Sequence, residues 1–173
     1  MPLLIKGHVD DQEPTIECDG YIPLVLRWTR SSLFPPIYWR LGDFEYSLIE
    51  LGVNEQTGAI CEVTVTSLAS ITEGLPFPKV GPTEFLSGLP CCDLKLWPEE
   101  VRRIDERSEI QAFYEKSTFL LRIIRSSSQI NSPSRVEYRS GNVCFRLDQE
   151  NALREIEVRN LSEIQMENLV SCV

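Results

Sequence analysis

Acidic side chains are concentrated in the first half of the chain. Residues 1–93 hold 13 Asp and Glu against 5 Lys and Arg, a net charge of −8, whereas residues 94–173 hold 13 against 12, a net charge of −1. An acidic field attracts basic protein surfaces and repels phosphate backbones and anionic lipid. We therefore predict a protein partner, with no nucleic acid and no membrane surface, that is contacted by acids of this half. The candidates are Asp10, Asp11, Glu13, Glu17 and Asp19 in a leading loop and Asp43, Glu45 and Glu62 around a hairpin.

Within this set, Glu45 and Glu62 are the preferred contact residues, because alternation with apolar neighbours directs their side chains towards solvent. The competing interpretation is that the acids form a solvated surface that only keeps the protein in solution. A second alternative places the contact on the apolar side chains Leu75, Phe77, Phe85 and Leu86.

The leading acids resemble a loose cation-binding loop over residues 10–19. They lack the glycine and the terminal glutamate at the spacing that an EF-hand needs. The only histidine is His8, and no Cys-x-x-Cys occurs, so a zinc site of ordinary composition is not expected. We predict no metal and no other cofactor.

Catalytic motifs are absent from the sequence. A nucleophile paired with histidine would have to use His8, and there is no Gly-x-Ser-x-Gly, no P-loop and no Gly-x-Gly-x-x-Gly. We predict that the protein is not an enzyme. A small hydrolase that uses a pair of carboxylates stays the catalytic alternative.

The cysteines are predicted to be free thiols. Cys61 and Cys144 lie in strand-like sequence, where a thiol behaves as a small apolar group, and the vicinal pair Cys91 and Cys92 lacks the usual redox spacing. The first residues do not have the pattern of a signal peptide, and no apolar run reaches the roughly 18 residues of a membrane span. We expect a cytoplasmic protein with reduced cysteines.

The first half of the chain contains one clear hairpin. Apolar residues alternate with polar ones from Phe44 to Val53, the segment Asn54–Gly58 has the composition of a turn, and a return strand follows from Ile60 to Ser67. The Pro and Gly residues between 74 and 90 predict a long surface loop.

The second half is predicted to begin with a helix and to continue with strands. Trp97-Pro98-Glu99-Glu100 suits the start of a helix that reaches about Tyr114. Residues 119–124 form an apolar central strand, and three strands follow at about 135–140, 143–148 and 153–158. Ser162 caps a final helix. The arginines of these strands are interleaved with glutamates, which indicates cross-strand ion pairs.

These elements together predict an α+β fold with a mainly antiparallel sheet of about six strands and two or three short helices. We expect a single domain over residues 1–173, with the long Pro/Gly-rich loop at about 74–90.

Two stretches resemble immunity proteins of bacterial contact-dependent growth inhibition and related polymorphic toxin systems. The first is the hairpin from Ser47 to Ser67, with Asn-x-x-Thr-Gly followed by Ile-x-x-Val-Thr, and the second runs from Gly141 to Ser162. The resemblance implies a cytoplasmic inhibitor that binds the C-terminal domain of one cognate toxin, often a nuclease, and blocks its active site. The alternative is a non-enzymatic adaptor or chaperone-like binding protein.

Overall fold

The computed structural model of the protein describes residues 3–10, 13–28, 34–76, 82, 84–125 and 134–173. Within these ranges the chain forms fifteen strands, a 3₁₀ turn at Leu94–Leu96 and one α-helix, α1, at Glu163–Ser171. In chain order the strands are β1 (Ile5–Val9), β2 (Thr15–Glu17), β3 (Leu24–Arg27), β4 (Ile37–Gly42), β5 (Leu48–Val53), β6 (Ile60–Ser67), β7 (Thr72–Glu73), β8 (Glu84–Ser87), β9 (Leu89–Cys92), β10 (Arg103–Arg107), β11 (Glu109–Glu115), β12 (Thr118–Ile124), β13 (Val136–Ser140), β14 (Val143–Leu147) and β15 (Leu153–Val158). The predicted α+β fold with about six strands and two or three helices is wrong, because the protein is mostly β.

The described strands are arranged in three sheets. A six-stranded sheet has the order β10-β4-β5-β6-β3-β2, and a seven-stranded sheet has the order β7-β11-β12-β15-β14-β13-β8. Strands β1 and β9 form a two-stranded antiparallel ribbon. Most neighbours are antiparallel, whereas β10 with β4, β7 with β11 and β8 with β13 are parallel.

The hydrophobic core takes side chains from all three sheets. Trp39 of β4, Phe119 of β12 and Phe145 of β14 are fully buried in one cluster. Trp28 joins the two large sheets, since its ring lies 5.8 Å from that of Phe145 and its Nε1 donates a hydrogen bond to Ser140 Oγ at 2.6 Å. The single domain over residues 1–173 stays a prediction, and this shared core is consistent with it.

The predicted hairpin of the first half is confirmed as β5 and β6. Asn54 Oδ1 accepts hydrogen bonds from the backbone N–H groups of Gln56 and Thr57, and Gly58 has φ +79°. The predicted strand was too long at its start. Phe44 and Tyr46 lie in a turn between β4 and β5, in which Asp43 Oδ1 accepts three backbone hydrogen bonds.

The predicted helix from Trp97 to Tyr114 is wrong. Glu100 has φ +61°, outside the helical region, and the chain then forms β10 and β11. Strand β10 alternates between exposed and half-buried residues and pairs in parallel with β4, from Arg103 beside Tyr38 to Arg107 beside Gly42. Pairing with a distant strand has overridden the local preference for helix.

The predicted strands and final helix of the second half are confirmed. Strands β12 to β15 occupy the expected positions, and β15 lies between β12 and β14. Ser162 caps α1 through a capping box, because its hydroxyl accepts from Gln165 N and Gln165 Oε1 accepts from Ser162 N.

The segment predicted as a loop contains regular structure. Strand β8 and the start of β9 fall within 74–90, and β8 pairs with β13. Phe77 lies outside the described residues. No helix in the described part of the chain is long and apolar enough to cross a membrane. All six cysteines carry free thiols.

Candidate functional site

A shallow groove of about 350 Å³ lies on the outer face of the six-stranded sheet. Its lining combines carboxylates, guanidinium groups, an aromatic ring and short apolar side chains. The lining residues are Ile22, Val25, Arg27, Tyr38, Glu50, Glu62, Thr64 and Arg103. We refer to these residues as the acidic groove, after its two glutamates, whose charge Arg27 and Arg103 balance.

Strand register brings the members of the acidic groove together. Arg27 of β3 pairs with Glu62 of β6, which pairs with Gly52 of β5, which pairs with Tyr38 of β4. Because successive side chains of a strand point to opposite faces, these four positions share the outer face. Gly52 carries no side chain, and an added Cβ there would lie 3.0 Å from Glu62 Cβ. The missing side chain lets Glu62 and Pro36 approach the backbone at this position.

The carboxylates of the groove are loosely paired. Glu62 Oε2 lies 3.7 Å from Arg27 Nε, and Glu50 Oε1 lies 3.8 Å from Arg40 Nη1. Each partner has a closer carboxylate elsewhere, since Arg27 donates to Glu17 at 3.2 Å and Arg40 donates to Asp105 at 2.8 Å. Glu50 and Glu62 therefore keep capacity to accept hydrogen bonds from a further cation.

The hydroxyl of Tyr38 is held in its neutral form. Partial burial raises the pKa of Tyr38, and the negative charges of Glu62 and Glu50 raise it further. The groove thus offers two carboxylate acceptors, a neutral phenol and an aromatic ring. The carboxylates and the ring suit an ammonium or guanidinium group. Arg27 and Arg103 also line the groove and balance its two carboxylates in charge.

An exposed apolar rim stands beside the groove. Tyr21 is 92% exposed, and its neighbour Ile22 is also exposed. Asp19 fixes their backbone, because its Oδ1 accepts hydrogen bonds from Tyr21 N at 2.9 Å and Ile22 N at 2.8 Å. These hydrogen bonds lower the pKa of Asp19.

Of the seven predicted contact acids that the structure describes, it brings two together. Glu17 of β2 and Glu62 of β6 both pair with Arg27, on the outer face of the six-stranded sheet. Glu45 is exposed but lies in the turn between β4 and β5, near the end of β5 that is remote from Glu62.

The other predicted acids are placed elsewhere. Asp19 and Asp43 build turns by accepting backbone hydrogen bonds, and these bonds lower the pKa of both carboxyls. Asp10 is exposed after β1, and Glu13 packs beside Gly141 in the turn between β13 and β14. Asp11 lies outside the described residues.

Tyr38, Glu50 and Arg27 were not singled out from the sequence. One signal in the sequence could have indicated them, namely the alternation of apolar and polar residues along each strand. Tyr38 and Arg40 lie between buried neighbours and therefore face outwards. The register between β3, β6, β5 and β4 is what gathers them, and it is a nonlocal property.

No group of three or more His, Cys, Asp or Glu side chains among the described residues is arranged to hold a metal ion. In comparisons with known proteins, no family model matches the chain and no curated protein matches it.

Proposed function

We propose that the protein is a cytoplasmic immunity protein that binds the C-terminal domain of a cognate toxin, most simply a nuclease, and neutralises it without catalysing a reaction. The observation that carries the proposal is the pair of loosely engaged carboxylates, Glu50 and Glu62, in the acidic groove. The resemblance of residues 47–67 and 141–162 to immunity proteins supplies the class of partner.

The chemistry of the partner follows from the two carboxylates of the groove and from the acidity of the whole chain. A nuclease must bind phosphate, so its active site carries cationic side chains. An acidic inhibitor competes for the same cations, and its net charge of −9 speeds the encounter with a basic domain. Once bound, a basic side chain of the toxin would replace the long contacts of Glu50 and Glu62 with shorter ones.

The exposed rim supplies the apolar part of the contact. Tyr21 and Ile22 are held by the Asp19 turn and need little ordering on association. Tyrosine is enriched among the residues that dominate binding energy at protein interfaces. We therefore expect Tyr21 to pack against the toxin while the groove engages its cation.

The test is binding to the domain encoded immediately upstream of this gene, which is where a cognate toxin is expected. Co-expression should yield a stable complex, and the complex should lack the toxic activity. Surface plasmon resonance at low and high salt should then show a slower association for Glu62→Lys, with a flatter dependence on salt.

Glu45→Lys is the matched variant, because it makes the same charge change in the turn between β4 and β5, outside the acidic groove. We expect Glu45→Lys to reduce the association rate less than Glu62→Lys does. Equal effects of the two variants on the association rate would show that the groove is not part of the contact and that its charge acts only through long-range steering. Absence of any complex with the upstream domain would contradict the immunity function itself.

A further inference from the structure

The outer face of the seven-stranded sheet carries a row of alternating charges. Register places Glu137, Arg146, Glu155 and Arg122 side by side across β13, β14, β15 and β12. Arg146 Nε lies 2.7 Å from Glu137 Oε2, Arg146 Nη1 lies 3.2 Å from Glu155 Oε2, and Arg122 Nη2 lies 2.8 Å from Glu155 Oε1. These contacts confirm the predicted cross-strand ion pairs.

Arg139 and Arg159 extend this row of charges, through Glu137 and Glu157. Arg146 Nη2 lies 2.7 Å from Glu157 Oε2. Arg139 donates from Nε to Glu137, and Arg159 donates from Nε to Glu157. The five side chains form a continuous chain of ion pairs that begins at Arg139, passes through Arg146 and ends at Arg159.

Burial differs sharply between the two signs of charge. The side chains of Glu137 and Glu157 are 1% and 3% exposed, whereas those of Arg139 and Arg159 are 48% and 39% exposed. The carboxylates therefore lie beneath the guanidinium groups. Solvent meets positive charge at this part of the face, although the whole protein is strongly acidic.

The two exposed guanidinium groups are held in place, but not all of their hydrogen-bond donors are engaged. In the described structure Arg139 and Arg159 each donate a side-chain hydrogen bond from Nε only, which leaves both Nη groups of each residue available. A planar guanidinium held by Nε keeps its remaining donors in a fixed orientation, which suits a carboxylate. The buried glutamates thus position the arginines for a second anion.

An exposed aromatic ring adjoins this positive surface. Phe85 of β8 pairs in register with Glu137, and its ring lies 4.4 Å from the Arg139 guanidinium carbon. Aromatic and arginine side chains are enriched at protein interfaces. We call Phe85, Arg139 and Arg159 the arginine patch.

We propose that the arginine patch is a docking surface for an acidic segment of a protein partner. Carboxylates of that segment accept hydrogen bonds from the Nη groups of Arg139 and Arg159, and its apolar atoms pack on Phe85. A net charge of −9 repels an extended polyanion such as nucleic acid. A short acidic segment fits better, since it meets only the local positive charge of the patch. The patch lies on the other large sheet from the acidic groove, so it does not depend on the immunity function.

The probe for this proposal is an acetylated and amidated tetraglutamate peptide. It is titrated against the full chain while the arginine Nε–Hε signals are followed by NMR. Saturable shifts are expected at Arg139 and Arg159 and not at Arg103, an exposed arginine on the outer face of the six-stranded sheet. The double variant Arg139→Gln/Arg159→Gln should weaken binding by about tenfold or more, since each charged contact contributes more than a neutral one.

The variants leave the buried carboxylates paired, because Glu137 and Glu157 both keep Arg146. If the glutamine variant fails to fold, Arg139→Lys/Arg159→Lys is used instead. It keeps the two charges, removes the paired Nη donors of the guanidinium groups and should weaken binding by a smaller factor. Shifts at Arg103 equal to those at the patch, or no saturation, would overturn the proposal. Tighter binding of an oligothymidine at the same two arginines would also overturn it, in favour of a phosphate ligand.

Discussion

At the scale of single residues, Arg146 holds the charges of the seven-stranded sheet together. It contacts Glu137, Glu155 and Glu157, and burial of these carboxylates would be costly without it. Burial lowers the pKa of Arg146, but the charge of Glu157 and the hydrogen bonds to Glu157 and Glu137 outweigh this effect and raise it. The guanidinium therefore stays charged at every pH at which the protein folds.

Replacing Arg146 by methionine should destabilise the protein by about 3–5 kcal/mol, because three carboxylates would lose their central cation. The measurement is the free energy of unfolding in urea. Arg103→Met is the matched control, since Arg103 is exposed and its contact with Asp105 is 3.5 Å long. Equal unfolding midpoints for the two variants would show that the ion network contributes nothing specific.

The buried cysteines belong to the packing and not to redox chemistry. Burial raises the pKa of the Cys144 thiol to about 11 and that of the Cys92 thiol to about 12. The thiolate is the nucleophilic form, so both groups are poorly reactive near neutral pH. The expectation of structural thiols was made for Cys144 from its strand-like surroundings and for Cys92 from the spacing of the vicinal pair, and it agrees with these environments.

At the scale of elements, the parts that could be predicted are those determined by local sequence. The hairpin of β5 and β6 is marked by Asn54 and Gly58, and α1 is marked by Ser162 and Gln165. Strands β12 to β15 follow one another through short turns, so alternation alone was sufficient to place them.

Elements that depend on distant partners could not be predicted. Val101, Ile104, Ile110 and Phe113 fit a patchy helical stripe as well as they fit strands, and the sequence does not reveal that β4 is free to pair with β10. Strands β7 and β8 are short edge strands paired in parallel, which leave little local signal. The count of strands was underestimated for this reason.

The candidate site could be predicted only in part, because it also depends on the pairing of strands that are distant in sequence. Composition located the acidic half of the chain, and Glu17 and Glu62 do share one face through Arg27. Glu50 and Tyr38 join them only through the register of three strand pairs. Local sequence could not distinguish these groove residues from turn-building acids such as Asp43.

The turn of the β5–β6 hairpin packs against β9 of the two-stranded ribbon, through Gly58 and Cys92. A substitution at Gly58 tests this contact. Gly58 has φ +79°, and an added Cβ would lie 2.4 Å from the backbone oxygen of Cys92. Gly58→Val should destabilise the protein by about 1 kcal/mol or more through backbone strain, and by about 1–3 kcal/mol more through the clash with β9.

Gly20→Val is the matched control for this prediction. Gly20 has φ +83°, and nothing lies within 4 Å of its added Cβ. The difference between the two melting temperatures therefore isolates the contact of the turn with Cys92. Equal losses would indicate that the turn does not pack on β9.

At the scale of the whole molecule, the two large sheets come mainly from different halves of the chain. Strands β2 to β6 come from the first half of the chain and carry the acidic groove, whereas β11 to β15 come from the second half and carry the ion network. The near balance of charge in the second half reflects arginines that lie over buried glutamates.

The response of stability to pH follows from the buried network. Burial by itself raises the pKa of Glu157, but the charge of Arg146 and the hydrogen bonds from Arg159 and Arg146 outweigh burial, so the pKa lies below its ordinary value of 4.5. Hydrogen bonds from Arg139 and Arg146 outweigh burial at Glu137 in the same way. Between the folded and unfolded pKa values the unfolded chain binds more protons, so stability is present above about pH 5 and is lost as pH falls further.

We therefore expect the free energy of unfolding in urea to change little between neutral pH and about pH 5 and to decrease below it, by about 1.4 kcal/mol per pH unit for each proton bound only on unfolding. Glu157→Gln should be less stable at neutral pH and should show a shallower decrease, because one of the groups with a lowered pKa is gone. Salt at about 0.5 M screens exposed ion pairs more than buried ones, so the difference in slope between the two proteins should persist there. Identical slopes, or a difference that disappears in salt, would mean that Glu157 is paired at the surface and that Arg159 is not held over a buried carboxylate.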